Sequence, residues 1–245
     1  MKKKKSSLPM RPIAPLAVPN LRTESDETLV NVPDGITIFS FTVTYDAIED
    51  VYATRVPDDD RDKIHKLAFG RTNPHKKIPL LKEWIERYPN FPRLYNFLSA
   101  AYVAANDYPS AKALVLETYE RFPEYLFARV NYADTLLRNN REDEVAALFP
   151  EGWVLPLIFP NRNMFHATEV TGLAGVAARY FLRQDNGDQA MIHIQTLLEV
   201  GGKNDPALPV ILSEILKYRL RNGFEKDKLS ALTAKLPLGR LLTGR

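Results

Sequence analysis

From about residue 60 to residue 222, apolar residues recur every three or four positions, which is the spacing of amphipathic helices. The clearest stretch lies between Pro89 and Pro123, where this spacing predicts helices over 92–105 and 108–121. The letters NDYPS between them favour a turn followed by a helix start. The pattern therefore predicts two helices that pack as a pair.

A near-repetition marks the ends of two successive helices. WIERYPNF begins at Trp84 and TYERFPEY begins at Thr118, so the copies are offset by 34 residues. Each copy places a proline directly after a helical stretch, and proline stops a helix because it lacks the backbone N–H donor. We expect the Arg and Glu side chains of both copies to face solvent.

The same helix pair has a specific order of large and small residues, which is Tyr95, Leu98, Ser99, Tyr102, Ala111, Val115 and Pro123. This segment resembles the tetratricopeptide repeat family, whose pattern over 34 residues is W-x2-L-G-x2-Y, then A-x3-F, then P. Tyr, Ser and Val stand here for the Trp, Gly and Phe of that pattern. Each replacement keeps the class of residue at its position.

Weaker copies flank this pair. A downstream copy runs from Arg129 to Phe149, and the repeat register then breaks at 150–165. The register resumes in a further copy from Ala174 to Ile194, whose first position, Ala174, lies 45 residues after Arg129. Further helices are predicted upstream, over the letters RDKIHKLAF and NPHKKIPLLKEWIERYP, and downstream over 206–223. The resemblance covers about two thirds of the chain.

The resemblance implies a mainly α fold, a tetratricopeptide-like α–α superhelical solenoid. The residues before it predict an extended N-terminal arm and a β-hairpin. We predict the following segments: a basic, Pro-rich arm over 1–27, the hairpin and a connection over 28–57, helical repeats over 58–223 with an insertion at about 150–165, and a C-terminal capping helix and tail over 224–245.

The hairpin prediction rests on β-branched and aromatic residues in TLVNVPDGITIFSFTVTY, residues 28–45. Pro33-Asp34-Gly35 is a turn signal, so 28–32 is predicted to pair with 36–45. An isolated hairpin is marginally stable in water. It would pack on its own chain, or donate a strand to another chain and so mediate oligomerisation.

Stacked helix pairs bury a continuous core and leave a concave surface that usually holds a protein or peptide. In the predicted register, the residues facing this groove are Arg93, Asn96, Phe97, Asn131, Asp134, Arg138, Arg179 and Arg183. Because arginine forks suit carboxylates, we hypothesise an acidic or C-terminal peptide as partner. The alternative is that these charges are ordinary solvated helix surface.

The insertion carries four large apolar residues, Trp153, Phe159, Met164 and Phe165. They suit a hydrophobic contact with a partner, because aromatic residues and Met are enriched in binding interfaces. They equally suit a segment that folds back over the end of a helix pair. The sequence leaves both interpretations open.

Candidate chemistry is sparse. The chain has no cysteine, and its four histidines do not fall into a metal-binding motif. No phosphate-binding glycine loop or nucleophile motif occurs. We therefore predict a non-catalytic protein with no catalytic residues, no metal and no cofactor.

The net charge of +3 depends on the N-terminus, because Lys2 to Lys5 contribute four positive charges. A second hypothesis is therefore a nucleic-acid-associated adaptor that uses this lysine run and the groove arginines. No stretch is apolar for long enough to suggest a membrane span. We predict a cytoplasmic protein that acts as a scaffold or complex subunit.

Overall fold

A computed structural model describes the backbone of residues 16–19 and 36–39, and describes residues 40–48 and 51–222 in full. The chain divides into two compact units. We call Glu49–Leu148 the middle unit, and Met1–Ile48 together with Phe149–Arg245 the terminal unit. The predicted strand 28–32 and the predicted cap 224–245 lie outside the described residues.

The described chain is mainly helical, as predicted. In the middle unit the helices are α1 (Asp58–Phe69), α2 (Pro74–Arg87), α3 (Pro92–Ala104), α4 (Tyr108–Arg121), α5 (Leu126–Arg138) and α6 (Glu142–Val145), with 3₁₀ turns at Ala53–Arg55 and Ala146–Leu148. In the terminal unit they are α7 (Leu155–Ile158), α8 (Ala167–Arg183), α9 (Gly187–Val200) and α10 (Leu208–Asn222). The bounds of α3 and α4 confirm the predicted helices 92–105 and 108–121 to within one residue.

The strands lie in the terminal unit and form two separate pairs. Strand β1 (Leu16–Pro19) pairs antiparallel with β2 (Ile36–Phe39). Strand β3 (Thr42–Thr44) pairs in parallel with β4 (Met164–His166), with Val43 opposite Phe165. The stretch predicted as one strand over 36–45 is therefore two strands with different partners. One partner belongs to the predicted arm and the other to the insertion.

Three turns between paired helices share one backbone geometry. Asn106, Asn140 and Asp185 have φ of 61°, 54° and 53°, in the left-handed region that Asn and Asp tolerate better than most residues. The residue after each one donates its N–H to a carbonyl five positions earlier, at 2.9–3.0 Å. These turns are offset by 34 and 45 residues, so the backbone reproduces both spacings of the sequence pattern.

The turns also cap the helices that follow them. The Asp107 side chain accepts a hydrogen bond from the Ser110 N–H at 3.2 Å, and Asn186 accepts one from the Gln189 N–H at 3.1 Å. Each bond satisfies a helix-terminal donor that has no partner within the helix. The short polar residues of the turns thus both reverse the chain and start the second helix.

The two prolines used to align the repeats have equivalent hydrogen bonds. The Tyr95 hydroxyl donates to the Pro89 carbonyl at 2.9 Å, and Nε of Arg129 donates to the Pro123 carbonyl at 2.7 Å. Tyr95 and Arg129 both occupy the first position of the repeat pattern, 34 residues apart. Two different side chains therefore supply the same donor to the same turn.

Each unit has its own apolar core. In the middle unit, Leu81, Leu94, Leu98 and Phe122 pack with Tyr95 between α2, α3 and α4. In the terminal unit, α8, α9 and α10 enclose a core whose central members are Ala178, Leu182, Ile194, Leu197 and Ile211. Such burial is the main favourable contribution to folding.

None of the helices in the described ranges combines the length and the apolar character that a bilayer crossing requires.

Candidate functional site

Two amides and a phenol connect α3 to α5 on the face that the repeat register predicts as binding surface. Nδ2 of Asn131 donates to Oδ1 of Asn96 at 3.2 Å, and Nδ2 of Asn96 lies 3.4 Å from the Tyr125 hydroxyl. Both asparagines are partly exposed, whereas Tyr125 is buried. We call Arg93, Asn96, Phe97, Asn131, Asp134 and Arg138 the groove face.

Phe97 provides the apolar part of the groove face. Its ring is half-buried against the core and lies 5.5 Å from the ring of Phe69, at the end of α1. Phe69 is 68% exposed and also lies 4.6 Å from the ring of His65. An exposed aromatic beside a partly exposed one is the type of surface that binding partners cover.

The charged members of the groove face differ in their contacts. Nε of Arg138 donates to Oδ2 of Asp134 at 2.7 Å, one helical turn earlier on α5. The Arg93 guanidinium lies over the Phe91 ring at 6.0 Å. Arg138 and Arg93 are both exposed, so their guanidinium groups are within reach of a partner's carboxylate.

The two predicted groove arginines of α8 lie in a different environment. Arg179 is buried, and Arg183 makes an ion pair with Glu214 of α10 at 2.9 Å. Burial alone would raise the Glu214 pKa, but hydrogen bonds from Arg183 and Lys217 and their positive charges hold it below its usual value. The repeat register fails to predict this environment because α10 covers that face of α8.

The insertion contributes aromatic residues to the packing of the terminal unit. Trp153 stacks on Tyr180 of α8 at 4.9 Å and also contacts Phe149 and Phe181. Phe165 is completely buried, and its ring lies 6.2 Å from that of Phe159. These contacts support the interpretation that the segment folds back over a helix pair.

Among the four large apolar residues of the insertion, Met164 is the most accessible, with 42% of its surface exposed. It alternates with buried Phe165 along β4, because successive side chains of a strand point to opposite faces. Arg162 stands just before β4 and makes a bidentate ion pair with Glu169 at 2.9–3.0 Å. The sequence pattern offers no signal for the pairing of β4 with β3, about 120 residues earlier.

The acidic start of α1 includes one residue with a defined structural role. Asp60 is buried and accepts hydrogen bonds from the Tyr88 hydroxyl at 2.5 Å and from Lys63 at 3.0 Å. These bonds, helped by the Arg87 charge, hold the Asp60 pKa below its ordinary value. The sequence signal for this role is the segment WIERYP, because its Arg87 and Tyr88 both contact the Asp60 carboxylate.

The arginines of the two near-copies also lie over aromatic rings. The Arg87 guanidinium is 5.5 Å from the Trp84 ring, and that of Arg121 is 5.7 Å from the Tyr95 ring. Arg87 nevertheless remains more than half exposed, so the prediction of solvated side chains is partly right. The Arg121 contact joins the end of α4 to α3, whereas the Arg87 contact lies within α2.

The histidines lie in different environments. His193 is buried with its ring stacked on Phe181 at 5.6 Å, and burial lowers its pKa to about 4. His166 caps α8 by accepting a hydrogen bond from the Thr168 N–H. Over the residues that the structure describes, no group of His, Asp and Glu side chains is arranged to hold a metal ion.

No family model matches this sequence, and searches of curated proteins and of solved structures found no match.

Proposed function

We propose that this chain is a non-catalytic interaction module of the tetratricopeptide type, which holds a partner protein or peptide on the groove face. The observation that carries the proposal is the Asn96–Asn131 bridge beside half-buried Phe97 on adjacent first helices. Amide groups can bind an extended peptide backbone, and an aromatic side chain can hold an apolar residue. The equivalent turns and proline bonds support the underlying repeat.

The charges favour an acidic partner segment. Arg93 and Arg138 are exposed on α3 and α5, and each can form two parallel bonds with a carboxylate. Arg138 would exchange its contact with Asp134, which costs little at an exposed position. Arg179 and Arg183 are left out of the proposed surface, because they are largely buried.

The test begins with a displayed library of random peptides, selected on the purified full-length chain. Binding of the recovered peptides is then measured by fluorescence anisotropy. Phe97→Ala combined with Asn131→Ala should weaken peptide binding at least about tenfold, because it removes an aromatic anchor and a hydrogen bond. Arg138→Glu should selectively weaken peptides that contain Asp or Glu.

The control is Leu116→Ala on α4, which removes an apolar side chain that is 40% exposed and lies outside the groove face. It should leave peptide affinity unchanged. Equal losses in Leu116→Ala and in the groove variant would contradict the proposed surface. Selection of peptides whose binding is insensitive to both variants would contradict it as well.

The N-terminal arm is proposed as a second contact. Its lysines, Lys2 to Lys5, add a cluster of positive charge that suits an acidic partner. Removal of residues 1–15 leaves every described strand and helix in the chain, and should weaken a partner's binding without changing the melting temperature. An unchanged affinity would restrict the interaction to the groove face.

A further inference from the structure

The turn between α1 and α2 concentrates positive charge. Residues 63–82 contain six Lys and Arg residues and no Asp or Glu, in a chain that is otherwise nearly balanced. Around the turn itself we define the turn patch as Lys66, Phe69, Arg71, His75 and Lys76. All five side chains are exposed.

Helix stability explains only part of this charge. Lys66 lies in the last turn of α1 and Lys77 donates to the Ala68 carbonyl at 2.7 Å, so both complement the negative end of that helix. The first turn of α2 needs the opposite sign of charge. It contains no acidic residue and carries His75 and Lys76, whereas the first turn of α1 has three aspartates.

Within the described ranges, none of Lys66, Arg71 and Lys76 makes an ion pair. Basic residues at a helix start oppose the macrodipole, and a departure from local stability rules is typical of a functional position. This arrangement favours an external anion.

The aromatic member of the turn patch, Phe69, indicates which class of anion the patch binds. Phe69 is 68% exposed, with one side held by Phe97 and His65 and the rest open to solvent. Cationic side chains that follow a backbone, with an exposed ring on which a base can stack, are the recognition elements for single-stranded nucleic acid. An acidic peptide would use the charges but has no need of an exposed ring.

We infer that the turn patch is a binding site for single-stranded nucleic acid, in which Arg71 and Lys76 contact phosphates and Phe69 stacks on an unpaired base. The inference does not rest on the proposed peptide-binding function, although Phe69 contacts Phe97 of the groove face. It uses different side chains from the groove face and from the N-terminal lysine run.

The test uses a fluorescein-labelled oligouridine strand and the full-length chain, with anisotropy measured at low and at moderate salt. Arg71→Glu is compared with Lys112→Glu, which makes the same charge change on α4, where Lys112 is exposed and its ammonium contacts Asn139. Both variants keep the N-terminal lysines, so the difference reports the patch. Arg71→Glu should weaken binding more and flatten the salt dependence.

Phe69→Ala is compared with Leu116→Ala, which also removes an exposed apolar side chain. Phe69→Ala should weaken strand binding at least about fivefold, the loss of one stacked base, while Leu116→Ala has no effect. A duplex of the same length should bind more weakly than the strand, because its bases are not available for stacking. Thermal melting of each variant shows that it is folded.

Four results would overturn the inference: no binding at low salt, equal losses in the two charge variants, full affinity in Phe69→Ala, or displacement of the strand by a poly-glutamate peptide at equal charge concentration. The last result would assign the patch to an acidic protein. Strand binding that survives Asn131→Ala, which keeps the Phe97 ring beside Phe69, separates this site from the proposed groove.

Discussion

Equivalent positions of the repeat have opposite environments in the two units. In the middle unit, Arg138 is exposed and pairs with Asp134 of its own helix. In the terminal unit, Arg183 is mostly buried and pairs with Glu214 of another helix, α10. The repeat register determines the direction in which a side chain points. Whether that side chain is exposed or forms a buried ion pair depends on the neighbouring helix.

The same contrast applies to the residues that close each helix pair. In the middle unit, aromatic and arginine side chains close the pairs through hydrogen bonds to proline carbonyls. In the terminal unit, the insertion supplies Trp153 and Phe165 as additional apolar cover. Four experiments test this contrast between the two units.

The largest effect is expected from Arg183→Met. It removes one cationic partner of the buried Glu214 carboxylate, which also pairs with Lys217, and loss of one partner of a buried ion pair costs about 3 kcal/mol of unfolding free energy. Arg138→Met should change stability by less than about 0.5 kcal/mol, because exposed pairs contribute little. Urea unfolding measures both.

The double variant Arg183→Met with Glu214→Met completes that experiment. Because it also removes the buried carboxylate that lost its arginine partner, it should recover much of the lost stability. A double variant no more stable than Arg183→Met would contradict the assignment of the loss to the ion pair.

The second prediction concerns pH and His193. Its folded pKa of about 4 lies below the ordinary 6.5, so the unfolded chain takes up a proton that the folded chain excludes. Stability is therefore complete above pH 6.5 and falls as the pH drops towards 4. The total loss is on the order of 3 kcal/mol, from the energy per pKa unit.

The control is His193→Leu, which has similar volume and does not titrate. Its stability should fall less than that of the wild-type chain over the same pH interval. Parallel stability curves for the two proteins would show that carboxylates such as Asp60, and not His193, produce the acid sensitivity.

The third prediction addresses the repeated bond to proline. Tyr95→Phe removes the hydroxyl that donates to the Pro89 carbonyl, and should lower the unfolding free energy by about 1 kcal/mol. Tyr108→Phe removes an exposed hydroxyl that contacts Asn106, and serves as the matched control. The comparison fails if both substitutions have the same effect.

The smallest effect is expected at the left-handed turns. Asn140→Gly should raise stability by a few tenths of a kcal/mol, because glycine adopts a φ of 54° without steric cost. Asn140→Ala should lower it by about 1 kcal/mol. Thermal melting that ranks alanine above glycine would show that the turn is not held in this conformation.

Much of the helical architecture could be predicted, because helix spacing, turn residues and caps are local properties. The helices α3 and α4 and the turns at Asn106, Asn140 and Asp185 all appear where the offsets of 34 and 45 residues require them. The strands could not be predicted in this way. Pairing of Val43 with Phe165 joins positions about 120 residues apart, and no local pattern encodes it.

The candidate sites also combine features that are local in the sequence with features that depend on tertiary packing. From the sequence alone, the repeat register predicts the groove face of α3 and α5, and the residue types give the positive charge between 63 and 82. Three features depend on tertiary packing: α10 covers Arg183, Phe69 stays exposed and Asp60 is buried against Tyr88. The reason is physical: periodicity sets the direction of a side chain, whereas its exposure and charge environment depend on elements distant in the sequence.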